Sequence, residues 1–431
     1  MQMLKVGFVG AGFIARFQVQ AIAQIRNMEI VGVTSRTHAS ADSLAALVRE
    51  KGVGECVVYD SITEMAQHVD AIALYAPNYT RIAHVEEIVH AVQQGAELRG
   101  IICEKPLGRN LAEARRLVEL AESVNLRTAY FENQLFMKPL RTQMAQLTPQ
   151  QQTMGPPVLV RSAEEHGGPH EPWFWDPTRQ GGGVLSDMGC HSIAVGWYGL
   201  TPLGKPPTFL EPVRVSAEVA LLKWGQPHWR QVLLDRFGVD YARTPAEDFA
   251  TGMVTYRNPE SGQLVKAQFT NSWMFEKQGL RLLMDGMGPG YAFEINTLSS
   301  SLQVFIGDAA AEAIADAEGA LEKSTASRGL LTVHHNEADL YGYTDENADA
   351  ARAFLAGRDG FLDWGYGLAV TRLVMAAYMA AEERRTVDLT DPATLAALET
   401  YVPLIQQGRG AEVLGTEVLG TEVLGTEVLG I

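Results

Sequence analysis

The sequence predicts a two-part chain of the α/β + α+β class. A doubly wound parallel sheet comes first, followed by a unit whose strands pair as antiparallel hairpins beside flanking helices. Three observations carry that expectation. The apolar run Val6-Gly7-Phe8-Val9 stops at a glycine turn, and a helical pattern (Ala15, Val19, Ile22, Ile25) starts at once. Strand and helix patterns then alternate as far as Phe131, which implies right-handed crossovers and a parallel sheet. From Val158 onward, β-rich runs follow one another without helices between them. At 431 residues the chain is long for one domain. We divide it into residues 1–130, residues 131–390 and an extension, 391–431.

The first turn reads Gly10-Ala11-Gly12-Phe13-Ile14-Ala15. Gly10 permits the tight turn, Gly12 lets backbone approach a pyrophosphate, and Ala15 is small enough for the helix to pack on its strand. Phe13 and Ile14 open that helix, whose free N–H groups and positive dipole end favour phosphate. This is the fingerprint of a dinucleotide-binding (Rossmann) unit, with a ligand-free flavodoxin-like turn as the alternative. A signal peptide is not expected: the run after Lys5 lacks a convincing cleavage site and continues into Arg16, Gln18 and Gln20.

The second strand, Ile30 to Thr34, ends at Ser35-Arg36-Thr37. An NAD-specific unit usually places Asp or Glu there for the ribose 2′-OH. Serine and arginine can instead bond a phosphate oxygen, and arginine can stack on adenine, which favours NADP over NAD. The alternative is a solvated Arg36 with NAD bound. A helix near Ser43–Lys51 and a strand at Val57–Tyr59 follow. The strand Ala71–Tyr75 then ends at Pro77-Asn78, and a helix runs from Thr80 to Val92. The strand Gly100–Cys103 leads into Glu104-Lys105-Pro106. Asn110 reads as an N-cap with Glu113 three residues on, ahead of a helix facing inward with Leu111, Ala114, Leu117, Ala121 and Val124. Arg127–Phe131 is the last strand. Ligands of such sheets sit beyond the strands' carboxyl ends, so Pro77, Asn78, Glu104 and Lys105 belong to the cofactor cleft. Pro106 fixes the backbone after Lys105, where a lysine can hydrogen-bond a substrate hydroxyl.

Composition narrows the class. A net charge of −16 argues against nucleic acid or an anionic membrane as partner. The best membrane candidate, around Leu368 to Ala381, is interrupted by Arg372. Cys56, Cys103 and Cys190 are odd in number and widely spaced, as reduced thiols of a cytoplasmic protein are.

In the second unit, strands are expected at 158–163, 213–222, 249–256, 264–270, 280–284, 291–295 and 302–306, with turns such as Asn258-Pro259-Glu260-Ser261-Gly262 between them. One face of that sheet must be covered by helices or by a second subunit. After the first strand, Glu164 to Asp176 mixes acids, His166, His170, Trp173 and Trp175. Such a loop can wall a sugar pocket, with polar groups for hydroxyls and flat rings for C–H faces, or fold its tryptophans into the core. No metal is expected: His166 and His170 are separated by a Gly-Gly-Pro loop, without the helical spacing of a ligand pair. Asp345–Leu355 and Leu362–Glu383 read as helices, the second packing on the first domain. The end of the chain repeats Thr-Glu-Val-Leu-Gly, a low-complexity tail.

Taken together, Gly10-Ala11-Gly12-Phe13-Ile14-Ala15, Pro77-Asn78, Glu104-Lys105-Pro106 and Gly181-Gly182-Gly183-Val184-Leu185-Ser186-Asp187-Met188-Gly189-Cys190-His191 resemble the glucose-fructose oxidoreductase / inositol dehydrogenase / rhizopine-catabolism (Gfo/Idh/MocA) family. The resemblance implies a Rossmann domain followed by a domain with a large, mostly antiparallel sheet. It also implies NAD(P)-dependent oxidation or reduction of a sugar, sugar-derivative or cyclitol hydroxyl. By motif match the catalytic set is Lys105, Asp187 and His191. A homodimer or homotetramer through the C-terminal sheet is the expected assembly. Two positions depart from the pattern. Arg81 stands where members often carry histidine, with His84 out of step, and Ile193, Ala194 and Val195 stand where many carry an acid.

Asp187 and His191 are four apart and, on a regular helix, share a face one turn apart. The glycine run before them lets backbone pass close to the cofactor. Removing a hydride from a carbinol carbon requires its hydroxyl proton to leave, and His191 is the natural base. Asp187 would hold a neighbouring hydroxyl, and Lys105 would stabilise developing alkoxide charge. Two other readings share the motifs: a glycoside-cleaving enzyme working by transient oxidation and elimination, and a non-catalytic sugar sensor on the same fold.

Overall fold

The computed structural model describes residues 2–277, 279–299, 303–306, 329–332 and 336–415. The first sheet contains β1 (Leu4–Val9), β2 (Met28–Thr34), β3 (Val57–Val58), β4 (Ala71–Leu74), β5 (Gly100–Glu104) and β6 (Arg127–Phe131). All pair in parallel, in the order β3-β2-β1-β4-β5-β6. The order reverses between β1 and β4, and this switch point opens a crevice at the carboxyl ends of the strands. Both faces of the central strands are buried, so β4 is apolar at every position. Ala71 and Ala73 enter one core, while Ile72 and Leu74 enter the other.

Helices α1 (Phe13–Ile22), α2 (His38–Glu50), α3 (Arg81–Gln93) and α4 (Leu111–Ser123) cover this sheet. Local chemistry sets their starts. Thr37 accepts the N–H of Ser40 at the head of α2, and Asn110 accepts that of Glu113 at the head of α4. Both cap otherwise orphaned amides.

The second sheet is mixed. Its strands are β7 (Leu159–Glu165), β8 (Glu211–Ala220), β9 (Phe249–Arg257), β10 (Leu264–Ser272), β11 (Arg281–Gly288) and β12 (Tyr291–Asn296). Gln303–Ile306 (β13) and Gly329–Thr332 (β14) pair antiparallel as a separate two-stranded sheet, and Val387–Asp388 (β15) extends the main sheet. The order is β12-β11-β7-β10-β9-β8-β15. Consecutive hairpins hold for β8–β9, β9–β10 and β11–β12, but β7 inserts between β11 and β10 and runs parallel to β10. A helical piece, α5 (Cys190–Leu200), lies on this sheet. It comes close because a Cβ at Gly196 would sit 2.7 Å from that of Ala267. The segment between β8 and β9 also holds a helix, α6 (Pro227–Phe237), where the sequence showed only a gap between strands.

Two helices tie the units together. Helix α7 (Tyr343–Leu355), assigned by sequence to the second unit, returns to fill the α1 side of the parallel sheet with Ala350, Ala351 and Phe354. A Cβ at Gly100 would lie 2.6 Å from the Phe354 ring, so that glycine makes the seat for the ring. Helix α8 (Trp364–Glu382) packs against α4 and β6 on one side and β8 on the other. Phe354→Ala is expected to cost about 3–5 kcal/mol in urea unfolding, because the ring is fully buried and the rigid sheet cannot collapse onto the cavity. After α8, residues 392–399 form a helix against α4 and α8, and 410–414 a short one. The Thr-Glu-Val-Leu-Gly copies beyond Gly415 lie outside the described residues. Among the described residues no helix is long and apolar enough to cross a membrane.

Candidate active site

The crevice at the switch point gathers the residues of the first unit. Gly10 has φ 103°, and a Cβ there would meet Ala76 N at 2.7 Å, so only glycine fits. A Cβ at Gly12 would meet no protein atom within 4 Å, and Gly12, at the N-cap of α1, offers no side-chain cap. Open backbone beside uncapped helix amides suits a diphosphate. Phe13 is exposed beside this turn, with Ile14 partly buried behind it.

At the end of β2, Ser35 bonds the Ser40 hydroxyl (3.0 Å) and Thr37 caps α2. Arg36 is exposed, and no hydrogen bond or ion pair holds it to a described residue. Pro77 and Asn78 follow β4. Asn78 is buried and donates to the Gln180 carbonyl at 2.7 Å, which ties the cleft to the glycine run.

Glu104 is turned into a buried network. Gln18 donates to it (2.9 Å) and to Glu346 (3.1 Å), while Asn347 holds the Gln18 oxygen (2.5 Å). Burial pushes both carboxyls up. One Glu104 oxygen is therefore engaged by the protein. Arg81, given no role by sequence, is buried and donates to the carbonyls of Lys105 (3.2 Å), Pro106 and Leu107 (3.4 Å). It clamps the turn that carries Lys105, whose peptide bond to Pro106 is cis.

Lys105 crosses to the second unit. Its Nζ donates to the Asp187 carbonyl at 2.9 Å and to Asp187 Oδ1 at 3.2 Å. Burial alone would pull this ammonium down, but the Asp187 carboxylate, helped by Cys190 and Glu164, lifts it above its ordinary value. Lys105 is a cation at any working pH. The indole of Trp273 donates to Asp187 Oδ2 (3.3 Å), so both carboxylate oxygens are held.

The expected shared face of Asp187 and His191 does not form. Leu185–Gly189 is a π turn, wider than an α turn, and α5 starts only at Cys190. Asp187 therefore points to Lys105 and Trp273, while His191 Nδ1 meets Glu132 Oε1 at 2.5 Å. Sequence reasoning missed Glu132. Burial would lower the His191 pKa, yet Glu132 and Glu164 outweigh burial and Lys105, so it lies above its ordinary 6.5. With Glu132 as acceptor, a neutral ring would carry its proton on Nδ1 and leave Nε2 unprotonated. Glu164 belongs to the same cluster: it interacts electrostatically with His191, Lys105 and Asp187 and accepts from Gln134 at 2.8 Å.

The expected loop wall divides. Trp175 is a core residue, packed edge-on against Trp224, Tyr241 and Trp273 and donating to the Pro169 carbonyl. It cannot line a pocket. Trp173 is half-buried, stacked on Phe174 and edge-on to Tyr79 of the first unit. His170 lies 6.4 Å from the Phe13 ring, beside the glycine turn. His166 is buried, and its Nδ1 accepts the Gly168 N–H at 2.9 Å. The glycine run also differs in its neighbour. Cβ atoms at Gly182 and Gly183 would strike the Tyr378 hydroxyl at 2.0 Å and the Glu247 carbonyl at 2.2 Å, so its close approach is to protein. Among the described residues no group of three or more His, Cys, Asp or Glu is arranged to hold a metal.

Two family models match in tandem. One, an oxidoreductase family with an NAD-binding Rossmann fold, matches residues 4–131. The other, the GFO/IDH/MocA C-terminal domain, matches residues 143–287. The chain is 24% identical over 199 residues to glucose-6-phosphate 3-dehydrogenase of Bacillus subtilis, covering 46% of this chain and 53% of that protein. It is 28% identical over 194 residues to 1,5-anhydro-D-fructose reductase of Ensifer adhaerens, covering 44% and 54%. The chain thus spans about half the length of these relatives. The crystal structure of GenD2 from gentamicin A biosynthesis, in complex with NAD, matches with a TM-score of 0.69 at 20% identity, over 90% of this chain and 97% of that one. Apo scyllo-inositol dehydrogenase from Lactobacillus casei matches at 0.61 and 19%, over 90% and 99%. At those identities the structures show the fold. With one model matching each unit in the expected order, the chain belongs to the Gfo/Idh/MocA oxidoreductase family.

Proposed function

We propose that this protein is an NAD(P)-dependent oxidoreductase acting on a hydroxyl-bearing carbon of a sugar, sugar derivative or cyclitol. The observation that carries this reading is that Lys105, held by Asp187, and His191, held by Glu132, belong to one electrostatically connected cluster with Glu164, just beyond the ends of β5 and β6. The nicotinamide, when bound, supplies the hydride acceptor or donor. His191 Nε2 takes the hydroxyl proton as charge develops, and Glu132 stabilises the imidazolium on its other nitrogen. Lys105 lies beside the oxygen that becomes alkoxide, and Asp187 fixes that ammonium. His170 and Trp173, at the cleft mouth, are the loop residues left to contact substrate.

The substrate class rests on the relatives, which act on a sugar phosphate and an anhydrosugar by name. It is tested by following cofactor reduction across a panel of sugars, sugar phosphates and cyclitols, with an aryl glycoside included. Release of the aryl group without net cofactor reduction would favour transient oxidation and elimination instead.

NADP is the preferred cofactor in this reading, because the Arg36 guanidinium is exposed and uncommitted beside Ser35 at the end of β2. Arg36→Ala is expected to raise the NADP KM about tenfold and leave the NAD KM within about twofold. Equal effects on both cofactors would make Arg36 a solvated charge. The sheet face opposite α5 carries the pairs Arg161–Asp285 and Arg281–Glu165 and is the proposed surface for a homodimer or homotetramer. A cytoplasmic location fits the buried, unpaired thiols of Cys56, Cys103 and Cys190.

A further inference from the structure

Glu247 is fully buried and takes no part in the chemistry above, yet it touches the segment that carries Asp187. It stands just before β9. Its Oε1 accepts the N–H groups of Gly183 and Leu185, both at 3.0 Å, and its Oε2 shares that of Gly183. Its carbonyl accepts the Val184 N–H at 3.0 Å. Tyr378 of α8 donates its hydroxyl to Glu247 Oε1 at 2.6 Å and accepts the Ser186 N–H at 3.1 Å. Four consecutive amides at the start of a buried helical segment, where no intrahelical acceptor exists, are thus satisfied by two residues. The glycines at 182 and 183 give the backbone room to reach them.

Its neighbour completes the hold. Asp248 accepts the amides of Leu222, Lys223 and Trp224, and its carbonyl takes the N–H of Trp273, whose indole reaches Asp187 Oδ2. One dipeptide therefore fixes the backbone that leads into Asp187 and, by way of Trp273, its carboxylate.

We propose that Glu247, together with Tyr378, is a positioning residue that holds Asp187 against Lys105. The proposal rests on the reading of Lys105 and Asp187 as catalytic. A carboxyl group is a poor choice for stability alone at this position. Burial pushes it up to about 7, although Tyr378 and the amides of Leu185 and Gly183 pull it down. The titratable groups facing it are Tyr378, Tyr241 and Asp248. A carboxyl raised in the folded state stabilises fully below its ordinary 4.5, and that contribution fades as pH rises through about 7. Above that value this contribution is gone, and the carboxyl still accepts the amides of Gly183 and Leu185 and the Tyr378 hydroxyl.

Glu247→Gln in the full-length protein tests this, with amide hydrogen exchange and steady-state kinetics above pH 7. The thermal midpoint should stay within about 3 °C of wild type. Exchange at residues 183–188 should rise about tenfold while the β1–α1 segment is unchanged. With an oxidised sugar from the panel, kcat should fall about tenfold and KM stay within about twofold. Tyr378→Phe, which removes one donor and one acceptor, should show the same pattern at smaller size. Wild-type exchange at 183–188, faster exchange spread over the whole chain, or an unchanged kcat would overturn the proposal. If no sugar is turned over by the wild type, the functional reading fails, and the exchange result alone decides the positioning role.

Discussion

Replacing Lys105 with methionine is expected to lower kcat/KM for sugar oxidation about a thousandfold, roughly 4 kcal/mol of transition-state stabilisation. Methionine keeps most of the length and apolar stem but removes the charge. The ammonium sits in a low-dielectric site where the Asp187 carboxylate lies 3.2 Å away and Trp273 holds its other oxygen. A cation fixed in that way needs no reorganisation when negative charge grows on the substrate oxygen. Its removal also strands Asp187 as a buried carboxylate without a counter-ion. Cofactor affinity should remain within about threefold, because the turn proposed to hold the diphosphate, β1–α1, is separate from Lys105. Fluorescence titration with the reduced cofactor, run beside the kinetics, separates the two effects. Loss of cofactor binding in the variant would assign Lys105 to the cofactor instead.

The second large effect belongs to His191. His191→Asn should reduce kcat by about 10²–10⁴, the usual range for losing a positioned general base. The wild-type pH profile gives a finer test. The base must be neutral to accept a proton, so oxidation should fall on the acid side of a midpoint above 6.5, the direction in which Glu132 and Glu164 move this imidazole. Reduction, which needs the protonated ring, should fall on the alkaline side of the same midpoint. Glu132→Gln removes the main lifting charge and leaves burial, so the midpoint should move down. The raised value also links to folding: its stabilising contribution is complete below 6.5 and is lost as pH rises through the folded value. A midpoint unmoved by Glu132→Gln would remove Glu132 from the mechanism.

The parts of the site legible in the sequence are those whose function requires a local backbone shape. Gly10 at φ 103° and the strand-to-helix switch at Ala15 are written within a few residues of each other. The Glu104-Lys105-Pro106 turn at a strand end is equally local. The partners that complete the site are not. Glu132 meets His191 across 59 positions, and Trp273 meets Asp187 across 86. No periodicity links such pairs, and only the tertiary packing within the second unit brings them together. Trp175 shows the converse. An aromatic in a loop reads equally as pocket wall or core, and residues from distant segments, Trp224, Tyr241 and Trp273, decide for the core.

The fold divides along the same line. Alternating patterns place β1 to β6, but the return of α7 to the first sheet depends on Phe354 finding the seat left by Gly100, a contact from the far end of the chain. The parallel pairing of β7 with β10 is hidden for a similar reason. Consecutive strands suggest hairpins, while actual neighbours are set by which edges remain free. The π turn at Leu185–Gly189 escapes a reading that assumes regular helix, and it sends Asp187 and His191 to different partners.

The account stands on Lys105 and His191 acting on one hydroxyl, and the most direct measurement is a double-mutant cycle on kcat. Lys105→Met, His191→Asn and the combined variant would be compared with wild type at saturating cofactor and sugar. Groups that serve a single proton transfer fail together, so the combined variant should be within about threefold of the slower single one. Losses that multiply in full would contradict the account and place the ammonium and the imidazole in separate tasks.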